Sequence, residues 1–262
     1  MPSFGRRTKK AAELIIKAEN VTAFIGAKLS EESGIPDFHD PTIDLWRKYN
    51  PLKHMNYDVF LKDPLPFWKV GQKFHAIMYN AKTNKGHEAL AELQRLGKLH
   101  GAIMTNIDAL LQKAGFKDVV EINGGYYHTK CMNCQTPWYY DVVAPKLDSG
   151  EVPPLCNNCG GVLRPGVVLF GEQIPMKAYQ NMMKMIRATD CLLVVGSKLG
   201  TNLERYTVKL VTEENRKSCV YINSSKLESA KLNSYFDAVL IGDVVEILQK
   251  LVSETKKQIE KQ

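Results

Sequence analysis

An α/β fold, built on a Rossmann-like parallel sheet with a small zinc ribbon and a helical insert, is predicted by three observations. Strands are expected at 21–25, 99–105 and 119–122, and short, continuously apolar runs at 191–195, 219–222 and 238–241 follow, separated by segments of helical periodicity. Strands buried on both faces of a doubly wound parallel sheet read this way. The first run ends in the small-residue turn Gly26-Ala27, where such a fold brings backbone amides up to a pyrophosphate. Two Cys-x-x-Cys pairs, Cys131/Cys134 and Cys156/Cys159, stand 21 residues apart. That spacing suits four thiolates converging tetrahedrally on one zinc ion, and with all four positions filled the metal is expected to be structural.

The elements follow in order. Ala11, Leu14, Ile15 and Ala18 recur at helical spacing, so an amphipathic helix over 8–18 precedes the first strand. Residues 39–83 are rich in aromatics and prolines, including Trp46, Tyr49, Pro64, Phe67, Trp68 and Phe74, and show no alternation. They read as short helices and ordered loop, a mobile cap over the site. Over 86–96, Ala89, Leu90, Leu93 and Leu96 share one helical face that stops at Gly97. Residues 138–143, between the cysteine pairs, are expected to form the ribbon. Cys191 and Cys219 lie inside apolar strands and read as inert core residues. Asp243, with Glu246 three residues on, caps the last helix, whose charged tail from Lys256 is expected to fray. The divisions expected are a Rossmann-like nucleotide-binding domain over 1–40, 85–125 and 165–262, a helical insert over 41–84, and a zinc ribbon over 126–164.

The composition, 44% hydrophobic and 24% charged, is that of an ordinary globular protein. No apolar run approaches the roughly 20 residues that span a bilayer, and the basic N-terminus has no apolar segment behind it. A cytoplasmic protein with no membrane partner is therefore expected. The net charge of +7 is spread along the chain without a basic-aromatic array, which argues for a solvated surface over nucleic-acid binding.

Ser30-Glu31-Glu32-Ser33-Gly34-Ile35-Pro36-Asp37-Phe38 closely resembles the cofactor loop of the sirtuins, the Sir2 family of NAD-dependent protein deacylases. The resemblance continues in family order through His87, Asn106-Ile107-Asp108, Gly124, the four cysteines, 167–172, Gly196, Asn223 and Gly242-Asp243, and covers nearly the whole chain. It implies NAD, or an ADP-ribose-like nucleotide, between the Rossmann and zinc domains, and an acyl-lysine entering from the opposite side. It assigns cofactor contacts to Gly26, Ala27, Lys28, Ser30, Pro36, Asp37, Phe38, His39, Thr105, Asn106, Asp108, Gly196, Ser197, Lys198, Asn223, Asp243 and Val244. Substrate contacts fall on Val168, Phe170 and Gly171, with Phe170 walling the acyl tunnel. Catalytic positions are Asn106, Asp108 and Asn123.

The last of these departs from the family pattern. In sirtuins a histidine in Glu-Leu-His-Gly serves as general base; here the sequence is Glu121-Ile122-Asn123-Gly124. An amide cannot take a proton near neutral pH, so deacylation is expected to be weak or lost. His128, five residues on, is the nearest alternative base in the sequence. Lys28 and Lys198 replace a glycine and a serine of the phosphate region, Thr105 a glutamine, and His39 an arginine. The lysines could bind a more phosphorylated ligand, fill the cleft, or point to solvent. The leading expectation is a divergent sirtuin that binds NAD or ADP-ribose and acts on an acylated protein. Two alternatives stay open: mono-ADP-ribosyl transfer or NAD hydrolysis, giving an ADP-ribosylated protein, and a non-catalytic module that accepts a peptide at the sheet edge near Val168.

Overall fold

The computed structural model describes residues 3–37, 47–227 and 229–261. The expected sheet is present. β1 (Val21–Ile25), β2 (Gly101–Met104), β3 (Val119–Glu121), β7 (Cys191–Val195), β8 (Ser218–Asn223) and β9 (Ala238–Ile241) lie parallel in the order β3-β2-β1-β7-β8-β9. Period-two alternation explains why a central strand such as β7 is apolar throughout. Ala23 and Ile25 of β1, with Leu193 and Val195 of β7, face a core shared with helices α1 (Phe4–Lys17), α5 (Lys85–Arg95) and α11 (Val244–Ile259). Phe24, Leu192 and Val194 face the opposite core, against α8 (Met176–Ala188) and α9 (Asn202–Lys209). Helices cover both faces, so the central strands keep no polar side. The order reverses between β1 and β7, and crevices in such sheets open at the carboxyl ends of the strands flanking that point.

A second, antiparallel sheet has the order β5-β4-β6, from β4 (Gly124–Cys131), β5 (Pro137–Tyr139) and β6 (Leu163–Val167). The ribbon expected over 138–143 needs correction here. The strand ends at Tyr139 and α7 (Tyr140–Asp148) begins. Tyr140, Val143, Ala144 and Leu147 of α7 are buried at helical spacing, a periodicity interrupted in the sequence by Pro145.

The described part of 39–83 holds two short helices, α2 (Pro51–His54) and α3 (Tyr57–Lys62), and one long one, α4 (Leu65–Asn80). The aromatics that hid this 16-residue helix are its buried face: Phe67, Trp68 and Phe74 pack inward with Val70 and Met78. They form one apolar cluster with Tyr140, Val143 and Leu147 of α7 and Leu163 of β6. Trp68 Nε1 donates to the Leu163 carbonyl at 2.9 Å, and Gln72 Nε2 to that of Leu147 at 2.8 Å. The helical insert and the zinc ribbon thus share a core.

Two ends differ from expectation. The first helix starts at Phe4, where Ser3 caps it. The last continues to Ile259 rather than fraying at Lys256, because Lys256 pairs with Glu92 of α5 at 2.5 Å and Gln258 Nε2 donates to the Lys9 carbonyl at 3.3 Å. Asp243 caps this helix as expected, accepting from Glu246 N at 2.7 Å. Cys191 and Cys219 are fully buried in the sheet core. Among the described residues no helix is long and apolar enough to cross a membrane.

Leu147 is fully buried in the shared core. Leu147→Ala is expected to lower the unfolding free energy by about 2–5 kcal/mol in urea titration. It should also raise amide hydrogen exchange in α4 as well as α7; protection lost in α7 alone would show that the two modules are energetically separate.

Candidate functional site

The loops that follow β1 and β7 touch. Gly26 N donates to the Val195 carbonyl at 2.9 Å and Lys28 N to the Gly196 carbonyl at 3.1 Å. A Cβ at Gly26 would stand 2.7 Å from Ser197 Cα and 2.8 Å from Gly196 O, so only glycine permits this approach. The chain after Gly26 runs into two single-turn 3₁₀ helices, Ala27–Leu29 and Glu31–Ser33. The facing loop is fixed from below: Tyr221 Oη and Asn223 Nδ2 both donate to the Ser197 carbonyl, at 3.1 and 2.9 Å.

Above these loops a cleft of about 590 Å³ opens between the main sheet and the helical and zinc modules. It brings together Gly26, Ala27, Ser30, Pro36, Asp37, Thr105, Asn106, Asp108, Asn123, Val168, Phe170, Gly171, Gly196, Ser197 and Lys198 of the residues expected from sequence. Lys28, Asn223, Asp243 and Val244 are not among its lining residues. Phe38 and His39 lie outside the described residues.

The polar centre is a buried network on Ser30. Its hydroxyl donates to Asp108 Oδ2 at 2.7 Å and accepts from Asn106 Nδ2 at 3.0 Å. Asn106 Nδ2 also reaches the Gly26 carbonyl at 3.2 Å, tying the network to the β1 loop. Asp108 Oδ1 accepts from Leu110 N at 2.8 Å. Burial pushes the Asp108 carboxyl above its ordinary range, against the opposing pull of these hydrogen bonds.

His87 completes the group, with Nε2 3.5 Å from Ser30 Oγ. Its Nδ1 accepts from Asn84 N at 3.2 Å, which assigns the proton to Nε2 and makes His87 a donor toward Ser30. Full burial lowers its pKa to about 4, so the imidazole stays neutral. The sequence placed His87 in the family pattern without a role. Glu204 is a cleft residue the sequence reading missed: its Oε1 accepts from Ser197 Oγ at 2.8 Å and its Oε2 from Thr201 N at 2.8 Å. The Thr201-x-x-Glu204 capping box was the available signal.

Asn123 follows the end of β3 and donates from Nδ2 to the Thr105 carbonyl at 2.9 Å. Val168 N donates to the Asn123 carbonyl at 2.8 Å, and Phe170 N to that of Met55 at 2.9 Å. The segment expected to pair with a peptide is therefore anchored from both modules. His128 is exposed on β4 beside the rings of Tyr127 and Tyr139 and does not line the cleft. Neither lysine of the phosphate region simply points to solvent. Lys28 pairs with Glu31 at 2.5 Å, its side chain 17% exposed, and Lys198 reaches Asp37 at 3.4 Å.

The four cysteines gather as expected. Their sulfurs all lie within 4.8 Å of one another, with Cys131–Cys159 at 3.4 Å and Cys134–Cys156 at 3.7 Å. A tetrahedron with Zn–S bonds of about 2.3 Å has sulfurs about 3.8 Å apart, so this donor set fits zinc. One zinc per chain is expected by atomic absorption, and its chelation should unfold the small sheet, read by loss of near-ultraviolet dichroism.

His87 carries a pH dependence. The unfolded chain takes a proton on it near pH 6.5 and the folded one only near 4, so its contribution to stability is complete above 6.5 and lost as pH falls toward 4. Between about pH 7.5 and 5 this amounts to about 2 kcal/mol. Urea titrations of native protein and His87→Gln at both pH values should show the native chain losing that much more than the variant.

The Sir2 family profile matches residues 26–202. An NAD-dependent protein deacetylase of Caldivirga maquilingensis is 39% identical over 248 residues, covering 95% of this chain and 93% of its own. An NAD-dependent protein deacylase 2 of Pyrobaculum aerophilum is 34% identical, covering 95% and 96%. Among solved structures, one of a Sir2 homologue mutant with ADP-ribose superposes with a TM-score of 0.85 at 30% identity, covering 97% of this chain and 98% of its own. Sir2Af2 bound to a myristoylated histone peptide gives 0.80 at 26% identity, covering 98% and 99%. With the crevice at the sheet reversal, the Ser30 network and the four-thiol site all in place, the chain belongs to the Sir2 family.

Proposed function

We propose that this chain binds NAD or ADP-ribose in the cleft beside an acylated lysine, and that Asn123 leaves it with little deacylase turnover. The observation that carries this reading is the side chain at 123, an amide whose nitrogen is already donated to the Thr105 carbonyl. When bound, NAD supplies a ribose carbon whose bond to nicotinamide is broken by attack of the acyl oxygen. Residues for holding the ribose side are present: Asn106 and Asp108 meet at Ser30, and neutral His87 backs them. Asn123 offers its Oδ1 to orient a ribose hydroxyl but cannot accept the proton that acyl migration releases. Loss of a general base costs about 10²- to 10⁴-fold. NAD dependence and acyl-peptide binding in the relatives support this cofactor and substrate class.

A second reading rests on the same contrast. An intact Ser30 network with an amide at 123 suits transfer of ADP-ribose to a protein nucleophile: the nucleophile bonds to the ribose carbon, nicotinamide leaves with the bonding electrons, and the nucleophile's proton passes to solvent. No acyl migration is needed.

Nicotinamide release and peptide deacylation should be followed by mass spectrometry with an acetyl-lysine peptide, on the native chain and on Asn123→His. Slow deacylation is expected natively, rising at least about 10²-fold in the variant. Transfer of labelled ADP-ribose to protein by the native chain would favour the second reading. Failure of the purified protein to bind ADP-ribose would overturn both.

A further inference from the structure

We infer that Gly71 sets the depth of the acyl pocket, and that the substrate it selects is a lysine bearing a long, straight apolar acyl chain. This rests on the acyl-lysine reading of the cleft given above.

The part of the cleft under α4 is walled by one stripe of that helix: Phe67, Trp68, Gly71, Phe74, His75 and Met78 all line it. Their spacing of three and four residues puts them on one helical face. Phe67, Trp68, Phe74, His75 and Met78 are large and buried. Gly71, in the middle, brings no side chain and is half-buried. The stripe therefore has a notch at its centre, on the side of the helix that faces the cleft.

A glycine in mid-helix is a cost. Relative to alanine it has more backbone freedom to lose on folding. The usual structural reasons for keeping one do not apply here. Its backbone is helical and not left-handed, and α4 runs on past it to Asn80. No neighbouring element needs the space. The three atoms nearest to a Cβ built at Gly71 belong to Trp68 and Phe67 of the same helix, and the closest, Trp68 Cε3, lies at 3.4 Å, an ordinary van der Waals contact. The notch is room that the fold itself leaves unused, and it belongs to whatever occupies the cleft.

The wall around the notch offers carbon. The Trp68 indole N–H donates to the Leu163 carbonyl at 2.9 Å, His75 Nε2 lies 2.9 Å from Asp148 Oδ1 of α7, and the Tyr126 hydroxyl donates to the Met78 carbonyl at 3.1 Å. These polar tips are held by the protein, so the three lining residues add ring surface to the cleft. Tyr126 also joins the two ends of the site. Its backbone N–H donates to the carbonyl of Ile107, between Asn106 and Asp108, while its hydroxyl meets α4 two turns beyond Gly71. From Phe67 to Met78 the stripe runs about 16 Å at 1.5 Å per residue, far longer than an acetyl group. A straight chain of many methylenes matches a wall of that length and composition.

The test uses fluorescent lysine peptides acylated with straight saturated chains of two to fourteen carbons. Their binding to the zinc-loaded protein saturated with ADP-ribose is read by anisotropy, so no turnover is needed. Affinity should tighten up to about fourfold for each added methylene until the pocket is full. Gly71→Leu, which fills the notch, should lower the ratio of long-chain to acetyl affinity by at least about tenfold. Gly71→Ala should lower it by a smaller factor while raising the melting temperature. Unchanged ADP-ribose affinity would certify that both variants are folded. Affinity that is flat from the acetyl peptide to the longest chain would overturn the inference, and so would a native ratio in Gly71→Leu. Gly71→Ala melting below the native chain would overturn it too, by showing that packing requires the glycine. If ADP-ribose binds but no acyl peptide does, the acetyl member included, the acyl-lysine reading itself fails.

Discussion

The cleft exists because two loops can touch. β1 and β7 are neighbours in the sheet, and the chain leaves their carboxyl ends in opposite directions. Gly26 and Gly196 let the departing loops pack backbone to backbone, with the Gly26 and Lys28 amides bonded to the Val195 and Gly196 carbonyls. A side chain at either point would wedge them apart: a Cβ at Gly196 would lie 2.9 Å from Leu29 N, and Gly196 also takes a positive φ of 66°. Everything polar in the site hangs from this contact, since Asn106 bonds to the Gly26 carbonyl and Tyr221 and Asn223 hold the carbonyl of Ser197.

Two of the five left-handed non-glycine residues in the described structure stand at the same place. Ala109 and Leu199 adopt left-handed backbone conformations, with φ of 57° and 51°, which cost a non-glycine residue about 1–2 kcal/mol each. Each directly follows a cleft residue, Asp108 and Lys198. At Asp108 the turn lets one carboxylate oxygen take the Leu110 amide while the other takes the Ser30 hydroxyl. Local hydrogen bonds of this kind hold an unfavourable backbone geometry in order to fix a carboxylate in a buried position. Neutral His87 fits the same logic, because a second charge there would have to be desolvated beside Asp108.

The parts of this architecture that were legible in the sequence share a short-range cause. Strands such as 191–195 must be apolar on both faces, and the zinc site needs its thiols two residues apart within each turn, so both leave local patterns. Helix α4 did not. Its burial is shared between aromatic residues and α7, far along the chain, and its exposed face still carries Ile77 and Tyr79, which blurs the period. For the same reason the pairing of His75 with Asp148 and of Ser197 with Glu204 could not be read from spacing. The Asn123 substitution was plain in the sequence, but the bond from its amide to the Thr105 carbonyl depends on β2 and β3 lying side by side.

Lys28 and Lys198 show how such substitutions change meaning in three dimensions. In the sequence they place two cations beside one anionic subsite. In the fold each meets a carboxylate, Glu31 and Asp37, so the pair adds little unbalanced charge to the cleft. The two pairs are not equivalent. Lys28 is held three residues from its partner on a tight turn and does not line the cleft, whereas the Lys198 side chain is 51% exposed and does. A half-exposed ion pair at 3.4 Å contributes at most about 1 kcal/mol. Giving up that pair would therefore forgo at most about 1 kcal/mol from the lysine's side, while the buried Asp37 carboxylate would lose a charged partner. Lys28 and Glu31 instead brace the turn that carries Ser30. Of the two cations, only Lys198 lines the cleft.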